Sequence, residues 1–320
     1  MSLFTARADG DGHEVLVGPG DDAAVWRPPA STAVVVTQDV LVEDVDFLRS
    51  WTTPYLLGRR AATISLSDLA AMGARPALCT ASLCLPARTC VDDVAALHLG
   101  LVEAASASGC RLVGGDVSAT AGPLVVDTVA IGTVEEGLIL RRDAGRAGDV
   151  LAVTGTLGRA AAGLRLLRDG DGAAPPPAAQ AWRRAQLEPQ ARIAEGMRLA
   201  ASGVLCAGDL SDGLLVDAAR TATSSACAAE LWLDHLPVDA ELRSVFADGW
   251  AELALGGGED FELLFAAADR VVAGVVATWP ASLAPITVVG RLCEGTGVRL
   301  FEHDGGAELP LPNVSSRHFA

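Results

Sequence analysis

Strand-length runs of β-branched residues alternate with alanine-rich helical stretches along this chain, and the alternation starts again after a polar break. "AVVVTQDV" (33–40) is a valine run that turns polar at its end. "PYLLGRRAATISLSDLAAMGARP" (54–76) has helical spacing, with Gly73 as C-cap and Pro76 as stop. "CVDDVAALHLGLVEAASASG" (90–109) reads as an amphipathic helix. "RLVGGD" (111–116) is a short strand entering a glycine turn, and "LVVDTVAIGTV" (124–134) is another strand. The glycine-containing stretch "EEGLILRRDAGRAGD" (135–149) reads as a domain boundary. After it come a strand, "VLAVTG", and a helix, "LGRAAAGLRLLRDG"; 170–180 is a flexible loop and 189–202 a helix. Then follow "DLSDGLLVDAARTA" (209–222), strand "AELWL", "LALGGGEDFELLFAA" (254–267), a helix near 269–279 and strands at 286–302. The 320 residues, half of them hydrophobic, are ample for a core. The fold class expected is α/β (α+β) in two domains, 1–139 and 140–320.

Charge narrows the function. The net charge is −16, and all 24 basic residues are arginine, because the chain contains no lysine. Nucleic acid and anionic membranes both select a basic patch, so neither is expected as a partner. No apolar run reaches the roughly 18 residues of a membrane span. The N-terminus lacks the apolar region of a signal peptide. Seven cysteines without a CxxC spacing read as reduced, mostly buried thiols, and a cytoplasmic location is expected.

The aspartates then ask for a partner. "GPGDDAAVW" (18–26) sets Asp21 beside Asp22. Asp39 ends a valine strand, Asp68 interrupts the apolar "ISLSDLAAMG", Asp116 follows two glycines, and Asp209 and Asp212 bracket Ser211. Singly, each reads as a helix cap or a solvated turn residue. Asp68 fits that reading worst, since its flanks are apolar and it lies well past any helix start. As a set beside glycines they suggest sites for a hard cation such as Mg²⁺, which bridges protein carboxylates to phosphate. "GGD" (114–116), "TGTLG" (154–158) and "GGGED" (256–260) let backbone N–H groups approach anions. None is a Walker A or a GxGxxG motif. The missing lysine excludes a P-loop NTPase and a protein kinase. Arg142 and Arg146 are candidate phosphate contacts through the guanidinium fork, the alternative being solvated linker charge. The five histidines form no recognisable catalytic set.

Eight short motifs, in order, carry a family resemblance. They are "GDDAAV" (20–25), "VVTQDVLVEDVDF" (35–47), "SLSDLAAMGARP" (65–76), "GGD" (114–116), "RRDAGRAGD" (141–149), "VTGTLGRAAAGL" (153–164), "DLSDGL" (209–214) and "GGEDFELLF" (257–265). From about Gly18 to the C-terminus the chain resembles the thiamine-monophosphate kinases, a branch of the aminoimidazole-ribonucleotide synthetase-like ATP-binding superfamily. The resemblance implies an N-terminal domain that binds ATP and Mg²⁺ and joins a homodimer, followed by a C-terminal α/β domain. It implies direct transfer of the ATP γ-phosphoryl to thiamine monophosphate. By position, Asp22, Thr37, Asp39, Asp68, Asp116, Asp209 and Asp212 resemble metal ligands, with Asp39 and Asp212 central to catalysis. Gly115, Asp116, Arg142 and Ser211 resemble the ATP contacts, His98 falls where the family meets the nucleotide, and Glu259 falls where it contacts substrate.

The chain departs from that pattern where the family meets thiamine. The family's usual "VHF" histidine is Asp46 here, and its C-terminal aromatic is Ser316. Gln38 replaces a common threonine, and the usual "GEF" segment is missing. Two further readings therefore stand beside the first. One is a paralogue that uses the same ATP and Mg²⁺ machinery on another small acceptor, with Asp46 and Ser316 as its contacts. The other is a nucleotide-binding protein without kinase activity.

Overall fold

The computed structural model describes residues 14–18, 23–170 and 176–312. Asp21, Asp22 and Ser316 lie outside the described residues, as does 171–175 of the expected loop. The chain divides into two compact units, Met1–Leu69 with Ala74–Gly137, and Ala70–Gly73 with Leu138–Ala320.

The first unit begins with a small ribbon of β1 (Glu14–Val17) and β2 (Val25–Arg27). Then come β3 (Thr32–Val42), α1 (Pro54–Ala71), β4 (Arg75–Pro86), α2 (Val91–Ala107), β5 (Arg111–Thr120) and β6 (Val125–Glu135). The four longer strands form one sheet in the order β3-β6-β4-β5. Thr53 caps α1 by accepting the Leu56 N–H at 3.2 Å, and Pro54 sits where its missing N–H costs nothing. Gly73, at φ +68°, ends the helix as expected. The two helices touch backbone to backbone at glycines. A Cβ on Gly58 would lie 2.0 Å from the Leu97 carbonyl oxygen, and one on Gly100 would lie 2.0 Å from that of Tyr55.

Two strand features differ from expectation. β4 follows α1 directly: its first two residues, Arg75 and Pro76, fall at the expected end of the helix, and no strand is expected after them. It is a central strand, antiparallel to β6 and parallel to β5, so most of it is buried and its alternation is blurred. Pro76 lies at its start, next to a register shift, where a missing donor is tolerated. β5 does not turn at its glycines but runs on to Thr120. Cys79 pairs with Leu112 and Thr80 with Gly114, so Val113 is the extra residue of a bulge that lets pairing continue.

The second unit contains β7 (Val150–Thr154), α3 (Arg159–Asp169), α4 (Ala179–Leu187), α5 (Ile193–Ala201), β8 (Cys206–Asp209) and α6 (Leu214–Ser224). They are followed by β9 (Ala228–Trp232), α7 (Ala240–Val245), α8 (Trp250–Gly256), β10 (Leu263–Ala267) and α9 (Asp269–Ala277). β11 (Ile286–Cys293), β12 (Val298–Phe301) and β13 (Glu308–Leu309) complete it. Seven strands form a sheet in the order β13-β12-β9-β11-β7-β10-β8, antiparallel except between β12 and β9. Alternate residues of β7 enter two cores. Leu151 and Val153 pack with Leu214 and Ala218 of α6 and Leu255 of α8. Ala152 packs with Leu199 of α5 and Val272 and Val275 of α9. The sheet is thus covered on both faces, the layered arrangement that the sequence pattern implies. α4 was not anticipated. It packs Trp182, fully buried, with Ala162 of α3 and Leu242 of α7.

No helix among the described residues is long and apolar enough to cross a membrane. All seven cysteines are free, and Cys79, Cys110, Cys206 and Cys227 are buried.

Candidate active site

In the first unit the sheet register sorts the acidic residues by face. One row across the sheet runs Asp39, Thr128, Ala81, Gly115. The adjacent row runs Val40, Asp127, Ser82, Asp116, and its side chains point the other way. Asp39 therefore shares a face with Thr37, two residues back on β3. α1 brings Ser65 and Asp68 to them, three residues apart on one side of the helix. The Thr37 hydroxyl donates a hydrogen bond to Asp68 Oδ2. Burial, and then the negative charges of Asp68 and Asp127, raise the pKa of Asp39, while the Ser65 hydroxyl works in the opposite direction. Asp39 Oδ2 is buried and has no hydrogen-bond partner.

Thr37, Asp39 and Asp68 are thus brought together. Asp116 is not brought to them within this unit. It is exposed on the opposite edge strand and opposite face, and its Oδ1 accepts the Val117 N–H at 2.8 Å. Gly115 shares the Asp39 row but lies three strand spacings away, roughly 14 Å. His98 is half-buried on α2, and burial lowers its pKa. Asp46 closes the turn after β3. Its Oδ2 accepts the Val42 N–H at 2.8 Å, and its carbonyl oxygen accepts from Arg60 at 3.2 Å.

The second unit gathers its own set. β8 ends in Asp209, 2% exposed, and Arg142 Nη2 reaches its Oδ1 at 3.2 Å. Gly208 makes room for that arginine, since a Cβ there would lie 2.7 Å from Arg142 Nε. The segment 210–212 pairs with 259–262. Glu259 N–H donates to the Ser211 carbonyl at 2.9 Å, Phe261 N–H to Leu210 at 3.0 Å, and Leu210 N–H to Glu262 at 2.8 Å. Asp209, Ser211, Asp212 and Glu259 are therefore carried on connected backbone, and Arg142 joins them through its side chain. Glu259 and Phe261 hold φ of 67° and 49°, left-handed values that are costly without a glycine and cluster at functional sites. Arg146 is exposed, and its N–H donates to Asp149 Oδ2 at 2.9 Å.

Several residues around this set were not singled out from sequence. Asp217, 2% exposed, accepts the Asp212 N–H at 3.0 Å, and Arg220 bridges Asp217 at 2.9 Å and Asp212. Asp217 interrupts "GLLVDAA" much as Asp68 interrupts its own helix, which is the signal that would have found it. The "TGTLG" turn does face anions, but they are the chain's own. Gly158 and Ala160 donate N–H bonds to Asp260 at 2.7 and 3.1 Å. Burial, against those two donors, pushes the Asp260 carboxyl up to about 7. Gly155, at φ +62°, leaves the space that the Glu262 carboxylate fills, since a Cβ would lie 1.9 Å from Glu262 Oε1.

The donor chemistry suits Mg²⁺. No three acidic, histidine or cysteine side chains among the described residues converge as a ready-made cage. Mg²⁺ does not require one, because it takes one or two carboxylates and keeps water and phosphate oxygens for the rest. The bare buried oxygen of Asp39, with Asp68 beside it, matches that demand.

Both units have known counterparts. Residues 20–134 match the family described as AIR synthase related protein, N-terminal domain, and residues 146–302 match its C-terminal domain. The two matches, covering most of the chain, define an AIR synthase related protein. Within that class, a thiamine-monophosphate kinase of Bacillus subtilis is 30% identical over 306 residues, covering 95% of this chain and 94% of the relative. The crystal structure of the thiamine-monophosphate kinase of Stenotrophomonas maltophilia is 38% identical, with a TM-score of 0.83 over 92% of each chain. A structure described as AaThiL complexed with AMPPCP and TMP is 32% identical, with a TM-score of 0.77 over 89% of this chain and 87% of the other. The chain belongs to the thiamine-monophosphate kinase family.

Proposed function

We propose that this chain transfers the γ-phosphoryl group of ATP directly to the phosphate of thiamine monophosphate, giving thiamine diphosphate and ADP. The observation that carries this reading is the buried, unpartnered Asp39 Oδ2 beside Asp68, in a chain of this family. Both reactants are anions, so the first task is to cancel their repulsion. When bound, Mg²⁺ would supply the positive charge that offsets the phosphates' repulsion. Thr37, Asp39 and Asp68 are the residues of the first unit that would hold such an ion, and in the second unit Asp209 and Asp212 resemble the family's metal ligands. Asp22 and Asp116 complete the set by family resemblance. Arg142 lies across Gly208 with its fork anchored on Asp209, ready to meet a phosphate. Gly115, Asp116 and Ser211 serve as further nucleotide contacts, and Glu259 faces the acceptor. With the reacting groups so placed, catalysis is positioning and charge neutralisation, and no protein nucleophile is needed.

Asp46 and Ser316 remain proposed acceptor contacts and the ground for another acceptor. The Asp46 carboxylate already has a local partner in Val42 N–H, which lends that second reading no added support. The experiment is an incubation with ATP, Mg²⁺ and thiamine monophosphate, followed by chromatography for thiamine diphosphate. Its appearance supports the reading. ADP formation driven by some other acceptor, with none of that product, replaces it.

Assembly belongs to the same proposal. Val34, Val36 and Val40 are 48%, 64% and 52% exposed on the sheet face turned away from Asp39. Three open valines on one strand suit a symmetric interface, which needs on the order of 800 Å² per partner. A homodimer through this face is expected by light scattering at micromolar concentration. Val36→Glu is expected to yield a folded monomer. A wild type that is monomeric in that range would contradict the assignment. A cytoplasmic location accords with the free thiols and with the substrates.

A further inference from the structure

Gln186 lies on α4, an element outside every motif of the family resemblance. It is 3% exposed. Its Nε2 donates a hydrogen bond to Glu259 Oε2, and its Oε1 is buried with no hydrogen-bond partner. The orientation of the amide is fixed by chemistry. An ionised carboxylate only accepts, so the nitrogen must face Glu259 and the oxygen must take the side that lacks a donor. A buried acceptor without a donor is unfavourable, and native proteins rarely keep one without cause. An apolar side chain of similar length would fill the same space without that cost. Retention of the amide calls for a role in what its nitrogen does.

Its nitrogen holds the side chain of Glu259. The backbone of that residue is already held, by the N–H bond to Ser211 and by close packing of Gly258, whose Cβ would lie 2.6 Å from the Ser211 oxygen. The left-handed φ of 67° at Glu259 aims the side chain, and Gln186 then selects its rotamer. We propose that Gln186 is a positioning residue for acceptor recognition: it fixes the Glu259 carboxylate so that one oxygen accepts a hydrogen bond from the amino group on the pyrimidine ring of the acceptor. This rests on the role proposed above for Glu259. Arg142 bonds Asp209 at the proposed phosphate end, whereas the amide nitrogen of Gln186 bonds Glu259 at the proposed acceptor end. The effect of Gln186 is therefore expected on the acceptor more than on ATP.

The test is steady-state kinetics on the full chain with ATP, Mg²⁺ and thiamine monophosphate, using Gln186→Leu, Glu259→Gln and the double variant. Gln186→Leu is expected to raise KM for thiamine monophosphate by about tenfold, the scale of one misplaced charge-assisted contact, and to leave KM for ATP unchanged. The melting temperature should hold or rise, since the orphan acceptor is gone. In the Glu259→Gln background the leucine should add almost nothing, because its effect passes through Glu259. Equal shifts in both KM values, or full additivity in the double variant, overturn the inference while leaving the kinase reading standing. If leucine lowers the melting temperature, Gln186→Met, which keeps the unbranched shape, carries the same comparison. A wild type that makes no thiamine diphosphate overturns the kinase reading, and this inference with it.

Discussion

Replacing Asp39 by asparagine is expected to lower phosphoryl transfer on the order of 10²–10³-fold, the scale seen when a group aimed at reacting charge is removed, and yet to stabilise the metal-free fold. The two effects have one cause. Asp39 is held by the sheet register within reach of Asp68 and Asp127, and burial adds to their repulsion, so its pKa is raised above 3.8. A carboxyl raised in the native state binds its proton more tightly there than in the unfolded chain. Its contribution to stability is complete below 3.8 and is lost as the pH rises through the native value. At pH 7 the metal-free protein therefore bears the cost of that raised pKa, and the asparagine variant does not. Thermal melts should place Asp39→Asn above the wild type at pH 7, with the gap closing toward pH 4. Each kcal/mol is about 2–4 °C in a chain of this size class. Mg²⁺ should raise the melting temperature of the wild type more than that of the variant, because only the wild type has the full ligand to offer. A variant that melts well below the wild type at pH 7 would show that Asp39 is a structural residue.

The largest loss of stability is expected elsewhere, at Arg192→Met. Glu262 is 4% exposed, and Arg192 grips it with Nε to Oε2 at 2.7 Å and Nη2 to Oε1 at 2.5 Å. Thr154 donates to the same carboxylate at 2.8 Å, and its hydroxyl also receives the Leu263 N–H at 2.8 Å. Removing the guanidinium strands a buried charge with one neutral donor, which costs about 3–5 kcal/mol. A fall of about 10 °C in melting temperature follows at 2–4 °C per kcal/mol. The double variant Arg192→Met with Glu262→Gln should recover much of that loss, since no charge is then left unpaired. Equal melting temperatures for the single and double variants would contradict the account of this pair. The Glu262 carbonyl accepts the Leu210 N–H in the same paired segment that carries Glu259, so loss of its anchor should reduce turnover before the whole unit unfolds.

The alternation of strands and helices was legible because half-buried elements write their period into the sequence. β3 does so plainly, with Val34, Val36 and Val40 outward and Thr37 and Asp39 inward. β4 did not, because a central strand made of alanine, cysteine and leucine shows little alternation. α4 was lost beside a proline- and alanine-rich stretch that reads as loop. Asp68 could be found from sequence as a charge that its helix does not need, and Ser65 follows from helical spacing alone. Asp127 could not, since its closeness to Asp39 depends on the register of β3 against β6, nearly ninety residues apart. Nor could the fate of "TGTLG" be read. Its glycines do approach acidic side chains, but those are Asp260 and Glu262, which enter from the segment just before β10. Local sequence announces a need for a partner, and only the folded chain says which one satisfies it.

Direct transfer from ATP to thiamine monophosphate is tested most directly by supplying ATP labelled in its γ-phosphoryl group, with Mg²⁺ and unlabelled thiamine monophosphate, and following the label. The label is expected in the terminal phosphate of thiamine diphosphate, with one ADP formed for each product molecule and little label in inorganic phosphate. Label that collects in inorganic phosphate, or in thiamine diphosphate only after passing through a phosphorylated form of the protein, would contradict it.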